Sequence, residues 1–147
     1  MFNKLLKTDE DIASLLMRVL LGVVFFPHGA QKLLGWFGGH GFSATMDSFT
    51  GNMGIPAILA FLAIMAESLG AVALITGFLT RVAAMGVATN MVVAIFMVHL
   101  QYGFFMNWFG NQEGEGFEFH ILAVALALAI MIRGGGKWSI DGMITRK

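Results

Sequence analysis

The sequence predicts an all-α integral membrane protein, an antiparallel four-helix bundle with both termini in the cytoplasm. Four long apolar stretches predict this class, over residues 12–34, 55–78, 82–99 and 117–132. Three reach the length of about 20 residues that a membrane span needs, and the fourth is slightly short. Such segments must be helical, because lipid offers backbone polar groups no partner. We therefore expect one four-span domain over residues 1–147.

Composition agrees with a membrane protein and excludes several functions. Hydrophobic residues make up 57% of the chain and charged residues 12%, unlike the average soluble domain. The nine basic and nine acidic residues balance, so we expect no basic face for nucleic acid. The chain has no cysteine, which excludes disulfides and thiolate-bound metal or iron–sulfur sites. Any sulfur chemistry would need a partner redox protein that supplies the thiol.

The first apolar stretch resembles a signal peptide because Lys4 and Lys7 precede it. Acidic residues intervene, however, and no convincing small-residue cleavage site follows, so we expect a retained span. Along this helix Arg18, Gly22 and Lys32 fall on one stripe at about 100° per residue. Small residues between polar ones are typical of a helix face that packs against other helices.

The two outer loops, residues 35–54 and 100–116, are rich in aromatic residues. Residues 42–49 contain apolar side chains at helical spacing, which predicts a short helix across the mouth of the bundle. We expect an aromatic belt at the outer interface, formed by Trp36, Phe37, Tyr102, Trp108 and Phe109. Two interpretations stay open: these rings anchor the protein in the membrane, or they line the entrance for a flat hydrophobic molecule.

The second span carries Glu67 on a face of small residues, so its carboxyl should point inward. At membrane depth it must be protonated or paired with a cation. Arg18 is nearest in expected depth, whereas Lys32 lies roughly 20 Å further along the first helix. Two interpretations stay open: a structural Arg18–Glu67 ion pair that fixes helix register, or a proton-handling carboxyl beside a ligand pocket.

The connection over residues 76–81 is very short, so the second and third spans should be antiparallel neighbours. On the third span, Asn90 should form an interhelical hydrogen bond. His99 follows nine residues later, nearly opposite Asn90 on a regular helix, so the two should not face one site. After the fourth span, Ser139 and Asp141 should cap the short tail or reach Arg81.

Lysine and arginine are distributed unevenly between the two sides of the predicted bundle. One of them, Lys32, lies on the side of the long loops. The other eight lie on the side of the termini: Lys4, Lys7, Arg18, Arg81, Arg133, Lys137, Arg146 and Lys147. Because cytoplasmic segments carry the excess of basic residues, this distribution predicts cytoplasmic termini.

Polar residues gather at similar depth in the outer halves of the spans: His28, Gln31, Lys32, His99, Gln101, Glu118 and His120. Four histidines in a membrane protein suggest haem or metal. None is spaced as HxH or HxxxH, however, so haem and metal are disfavoured. A polar pocket for quinone head-group oxygens or a small anion remains, beside purely structural hydrogen bonding.

An ordered set of motifs carries a family resemblance. The run RxxxGxxFxxHGxxK covers residues 18–32, Glu67 and Gly70 follow, then Gly77, Thr80 and Arg81, and the chain closes with GGGKWSID over residues 134–141. This succession resembles the DoxX family of small four-helix proteins of the bacterial inner membrane.

The resemblance implies either a quinone-linked redox role or an assembly role. The family includes relatives of the membrane subunit of thiosulfate:quinone oxidoreductase and membrane scaffolds for oxidative-stress enzymes. Carried over by motif, the implied functional positions are Arg18, His28, Lys32, Glu67 and Arg81.

We expect a redox subunit that binds a quinone, or a similar apolar carrier, in the outer half. His28 and His120 would hydrogen-bond the ring oxygens or relay protons. Lys32 would stabilise negative charge on the reduced carrier, with Glu67 as the fourth catalytic residue. The residues expected to bind the carrier are His28, Gln31, Lys32, Trp36, Phe37, Asn90, His99, Gln101, Glu118 and His120.

The rival hypothesis is a non-catalytic scaffold or small-solute-binding protein that assembles with partner enzymes. Its polar residues would only hold the helices together. Transport is a weaker third class, because the chain shows no inverted repeat or pair of broken helices. Association into a homo-oligomer stays open, since faces of small residues can also join copies of a chain.

Overall fold

The computed structural model describes residues 6–145, and all regular structure within that range is helical. The predicted all-α class is therefore confirmed for these residues. Lys4, Arg146 and Lys147, which entered the charge distribution, lie outside the described residues. The helices are α1 (Ile12–Leu34), α2 (Gly41–Asp47), α3 (Ala57–Thr76), α4 (Thr80–Ala94), α5 (Glu118–Arg133) and α6 (Ile140–Thr145).

Three helical segments are long and apolar enough to cross a membrane: Ile12–Leu34, Ala57–Thr76 and Thr80–Tyr102. The third segment is α4 continued by a π-helical segment, Ile95–His99, and a 3-10 turn, Leu100–Tyr102. Helix α5 has 16 residues, or about 24 Å at 1.5 Å per residue, short of the ~30 Å hydrocarbon core. Three of the four predicted spans thus have the expected length.

The four long helices contact one another in a cycle: α1 with α3 and α5, and α4 with α3 and α5. Neighbours run antiparallel. Near the start of α4, Arg81 donates to the carbonyl of Met131, close to the end of α5, at 2.8 Å. We call the end that carries residues 35–56 and 103–117 the loop end, and the opposite end the terminal end.

Glycine at position 29 lets α1 and α3 approach closely. A Cβ atom there would lie 2.5 Å from backbone atoms of Glu67 and Ser68, and Ser68 Oγ donates to the Gly29 carbonyl at 3.1 Å. This contact fixes Glu67 level with the last two turns of α1. It therefore decides which cation Glu67 meets.

At the terminal end, the buried guanidinium of Arg18 joins three segments by hydrogen bonds. It is 1% exposed and donates to the carbonyls of Leu74 (3.0 Å) and Ile75 (2.6 Å) in the last turn of α3. Three more carbonyls accept from it: Gly135 (2.6 Å), Trp138 (3.1 Å) and Lys137 (3.2 Å). The last carbonyls of a helix have no partner within it and form its negative end, which suits a cation.

The predicted Arg18–Glu67 ion pair is therefore wrong. Glu67 lies seven residues before Leu74 in α3, about 10 Å away at 1.5 Å per residue. The sequence places Arg18 and Glu67 within predicted spans, but it does not give the offset between α1 and α3, which decides which cation lies beside Glu67.

The closing GGGKWSID segment caps two helices. Ser139 Oγ accepts from the backbone N–H of Gly142 at 3.1 Å, which caps the short tail helix α6 as predicted. Asp141, which is 1% exposed, instead accepts from the backbone N–H groups of Leu79 (2.7 Å) and Thr80 (2.8 Å) and so caps α4. It does not reach Arg81, whose two terminal guanidinium nitrogens donate instead to the backbone carbonyls of Met131 and Lys7.

The short helix predicted over residues 42–49 is present. Helix α2 covers Gly41–Asp47 and continues into a π-helical segment, Ser48–Asn52. It contacts both α1 and α3. The segment that follows α2 supplies part of the wall of the site described next.

Candidate functional site

A cavity of about 400 Å³ lies at the loop end and is lined from α1, α3, α4 and α5 and from both long loops. Most of its wall is apolar, including Phe25, Phe49, Met91, Met97 and Phe119. Against this wall stand seven polar side chains: His28, Lys32, Glu67, Asn90, His99, Glu115 and His120. An apolar cavity with a few convergent polar groups is the usual form of a small-molecule site.

An ion pair joins two neighbouring helices, α1 and α3, in the cavity wall. Lys32 Nζ on α1 is 2.5 Å from Glu67 Oε2 on α3, and their side chains are 26% and 10% exposed. Asn90 on α4 donates to the Ala63 carbonyl at 2.7 Å and to Glu67 Oε1 at 3.4 Å. The interhelical hydrogen bond expected from Asn90 is therefore present, and the pair contributes no net charge to the cavity.

His28 lies at the open side of the cavity. Its side chain on α1 is exposed, and its ring centroid is 6.2 Å from that of Phe25. His28 and Lys32 are one turn apart on α1, so both meet the cavity from the same helix face.

His99 and His120 form a close pair, with ring centroids 4.0 Å apart and ring planes inclined by 41°. His120, on the first turn of α5, is 6% exposed. Its Nδ1 is enclosed and has no hydrogen-bond partner among the described residues. His99 Nδ1 lies 2.8 Å from the backbone carbonyl oxygen of Glu115. Because a carbonyl only accepts, this nitrogen of His99 carries the proton.

The prediction that Asn90 and His99 face different sites is wrong, since both line this cavity. The reason is the π-helical segment Ile95–His99. A π turn holds about one residue more than an α turn, so the side chains beyond it are rotated by about 100°. That rotation brings His99 from the opposite face towards the side of Asn90.

Five of the residues expected to bind a carrier do not line the cavity: Gln31, Trp36, Phe37, Gln101 and Glu118. Local hydrogen bonds explain three of them. Gln31 donates to the Phe37 carbonyl at 3.0 Å, and Gln101 donates to the Val98 carbonyl at 3.0 Å. The Glu118 carboxylate accepts from Trp108 Nε1 at 2.8 Å and from the Met106 N–H at 2.9 Å.

The predicted entrance rings lie outside the site because α1 ends before them. Gly35, in the left-handed conformation, closes the helix, and the chain turns away from the cavity. Trp36 and Phe37 are 55% and 61% exposed. Of the two interpretations of the aromatic residues, their positions favour contact with the membrane interface.

Several wall residues were not predicted from the sequence. Met53 and Met106 come from the two loops, and Glu115 lines the cavity beside its backbone contact with His99. The helical spacing of residues 42–49 predicted an element over the mouth, but nothing in the pattern marks Met53 or Met106. With Met91 and Met97 they form a wall of unbranched, flexible side chains, which adapts to ligands of different outline.

Comparison with known proteins places the chain among bacterial membrane proteins. The sequence profile of a family described as DoxX matches residues 13–100. The chain is 31% identical over 120 residues to the putative oxidoreductase CatD of Bacillus subtilis, which covers 82% of this chain and 79% of that protein.

Two further relatives match almost the whole chain. It is 27% identical over 142 residues to the inner membrane protein YqjF of Escherichia coli, covering 97% of this chain and 99% of that protein. An uncharacterized protein of Haemophilus influenzae is 28% identical over 139 residues, covering 93% of this chain and 86% of that protein. No solved structure matches the chain.

Proposed function

The chain belongs to the DoxX family of membrane proteins, and we propose that it binds a quinone or a similar apolar carrier as the membrane subunit of a redox system. It is a multi-pass protein of the bacterial inner membrane. The carrier would occupy the loop-end cavity. The observation that carries this proposal is the convergence of polar groups from four helices on one cavity with apolar walls.

In the proposed arrangement the protein is an antiparallel four-helix transmembrane bundle with cytoplasmic termini. The terminal end carries Lys7, Arg81, Arg133 and Lys137, whereas Lys32 at the loop end is paired with a carboxylate. This asymmetry supports cytoplasmic placement of the terminal end. Helix α5 is short for a span, but bilayers thin locally around short helices at modest cost. The cavity then opens in the outer half of the membrane.

The polar groups suit the oxygen atoms of a quinone ring. Lys32 Nζ can donate to one oxygen and stabilise negative charge that develops on it. His28, exposed at the open side of the cavity, can donate to the ring or exchange a proton with it. Glu67 accepts from Lys32 and Asn90 and so holds both donors in place.

The apolar wall suits the rest of such a molecule. Phe25 and Phe119 lie with ring centroids 6.3 Å apart in a stacked arrangement at 27°. Aromatic and methionine side chains bind flat rings through dispersion and by removing apolar surface from water. The name of CatD, a putative oxidoreductase, supports a redox role for a carrier held there.

Binding of quinone by the purified protein tests this proposal. Protein in lipid nanodiscs is titrated with decylubiquinone, and quinone co-extracted from the membrane is quantified against an unrelated four-span protein. We expect near-stoichiometric binding that is lost in Lys32→Met. His40, which is exposed and outside the cavity, supplies the matched control His40→Gln. Background binding that persists after quinone is added back would contradict the proposal.

A second candidate function is a non-catalytic scaffold or solute-binding protein that assembles with partner enzymes. The observation that favours it is the tip of the second long loop, where Trp108 and Phe109 are 77% and 88% exposed. Such rings can dock a partner protein, including one that supplies thiol chemistry, or another copy of the chain. In that case replacing His28 and His120 by apolar residues would leave function intact, while Trp108→Ala would abolish co-purification with the partner.

A further inference from the structure

The geometry points to a proton route from the cavity to the loop-end surface through His120, His99 and Glu115. The inference rests on the proposed function and narrows it. The carrier would belong to a class whose bound form releases or takes up a proton, such as a hydroquinone or a comparable phenol. The three residues come from α5, from the π-helical segment and from the loop before α5.

The first residue of the proton route is His120, which lines the cavity and is 6% exposed. Its Nδ1 is enclosed without a hydrogen-bond partner among the described residues. A buried polar atom left in this state destabilises a fold, so such atoms call for a functional explanation. A ring nitrogen that must be ready to take or give a proton is one such explanation.

The second residue of the proton route is His99, whose ring centroid is 4.0 Å from that of His120. Its Nδ1–H donates to the Glu115 carbonyl at 2.8 Å, which leaves Nε2 as the acceptor of the neutral ring. An imidazole can take a proton on one nitrogen and release one from the other. In the proposed route, ring rotation brings a nitrogen of His120 to Nε2 of His99 for the transfer.

The third residue of the proton route is Glu115, which lines the cavity and is also exposed at the surface. Its carboxylate accepts from the Asn107 N–H at 2.7 Å, which holds the side chain at the end of the loop. A surface carboxylate beside a partly exposed histidine such as His99 can exchange protons with water and pass them on. In the proposed orientation this surface is the outer face of the membrane.

The neighbouring charges do not compete for this proton. Lys32 on α1 and Glu67 on α3 are paired with each other, and the Glu118 carboxylate is occupied by two N–H donors. His28 is the remaining titratable group of the cavity and lies at its open side on α1. In the balanced transfer the O–H bond of the ligand breaks and an N–H bond forms on one nitrogen of His120. The other nitrogen of His120 passes a proton to Nε2 of His99, which gives up its Nδ1 proton to the Glu115 carboxylate, and this carboxylate releases it to water. No electron moves in this step.

A phenol that changes absorbance on ionisation tests the route. A decyl-chain nitrophenol is bound to the protein in nanodiscs, its affinity is measured, and the pH is then jumped in a stopped-flow instrument. His99→Gln keeps an N–H donor for the Glu115 carbonyl but cannot relay a proton. With each protein saturated with the probe, we expect this variant to slow the ionisation of the bound probe roughly 100-fold.

The outcomes distinguish failure of the proton route from failure of ligand binding in the cavity. An unchanged ionisation rate in His99→Gln, with the probe bound, overturns the route and leaves the cavity as a binding site. Absence of probe binding to the native protein overturns the proposed function and the route with it. His40→Gln controls for the loss of a histidine and should ionise the probe at the native rate. If the His99 variant does not fold, Glu115→Gln at its exposed position replaces it, and an unchanged rate there overturns the route.

Discussion

The Lys32–Glu67 ion pair is the charged part of the cavity wall, and the sequence predicts the wrong partner for Glu67. The sequence predicts both Lys32 and Glu67 at the site, but it favours Arg18 as the partner of Glu67, because a helix rise of 1.5 Å per residue puts Lys32 too far along α1. The rise gives the depth of a residue within its own helix. The offset between α1 and α3 is set by the contact at Gly29, which no local pattern in the sequence reveals.

Removing one partner of this pair should weaken both stability and binding. Lys32→Met leaves the Glu67 carboxylate buried without a cation, and breaking a fully buried pair costs about 3–5 kcal/mol. Because Lys32 is 26% exposed, we expect a loss of about 1–2 kcal/mol. Thermal unfolding of Lys32→Met, Glu67→Gln and the double variant measures it. Additive losses would show that the pair is not coupled.

Asp11 provides a pH-dependent contribution at the terminal end. A hydrogen bond from the Ser14 hydroxyl to its carboxylate, together with backbone N–H donors and Arg133, lowers the pKa of Asp11. A carboxyl whose pKa is lower in the folded state stabilises the fold above its unfolded pKa, and this contribution is lost as the pH falls through the folded pKa.

The expected result is a melting temperature that falls below about pH 4. Asp11→Asn should remove that part of the fall, and the comparison of both melting curves between neutral and acidic pH measures it. Equal pH dependence in the two proteins would contradict a role for Asp11.

At the scale of the elements, the close packing of α1 on α3 positions the site, and two glycines test it. A Cβ at Gly29 would meet the backbone of α3 at 2.5 Å, whereas one at Gly70 would meet its nearest atoms at 3.9 Å. We expect Gly29→Ala to destabilise the protein by about 1–3 kcal/mol and to weaken ligand binding, because the helices must separate.

Gly70→Ala is the matched control, since it adds the same methyl group on the facing helix where space exists. Thermal unfolding and quinone affinity are measured for both variants. Equal effects in the two would mean that close approach at Gly29 does not set the geometry of the cavity.

The elements also show where sequence reasoning ends. Periodicity gave the class, the long helices and the short α2, because these depend on local hydrophobic pattern. It could not give the π-helical segment Ile95–His99, whose extra residue leaves no mark in composition. The sequence predicts His99 as a carrier-binding residue, but only the structure shows how it comes to face the same cavity as Asn90. The hydrogen-bond partners of Asp141 likewise depend on tertiary contacts, because this side chain caps α4, which lies more than 60 residues away in the sequence.

For the whole molecule, the proposed orientation can be measured directly because the chain has no cysteine. Single substitutions place one thiol at each end: Asn111→Cys in the second long loop and Asp9→Cys near the start of α1, both at exposed positions. A membrane-impermeant maleimide applied to intact spheroplasts should label the Asn111→Cys protein alone. Both should react after the membrane is opened. Labelling of Asp9→Cys in intact cells would reverse the orientation and place the cavity on the cytoplasmic side.

The central claim is that a quinone-like carrier binds in the loop-end cavity, and photolabelling tests it most directly. The protein in nanodiscs is illuminated with an azidoquinone, and labelled peptides are identified by mass spectrometry with and without excess decylubiquinone. We predict labelling of the cavity wall around Met91, Met97 and Phe119 that excess quinone abolishes and that is lost in Lys32→Met. Labelling confined to lipid-facing positions such as Leu20 and Phe96, which are 61% and 70% exposed, and unaffected by competitor, would contradict the account.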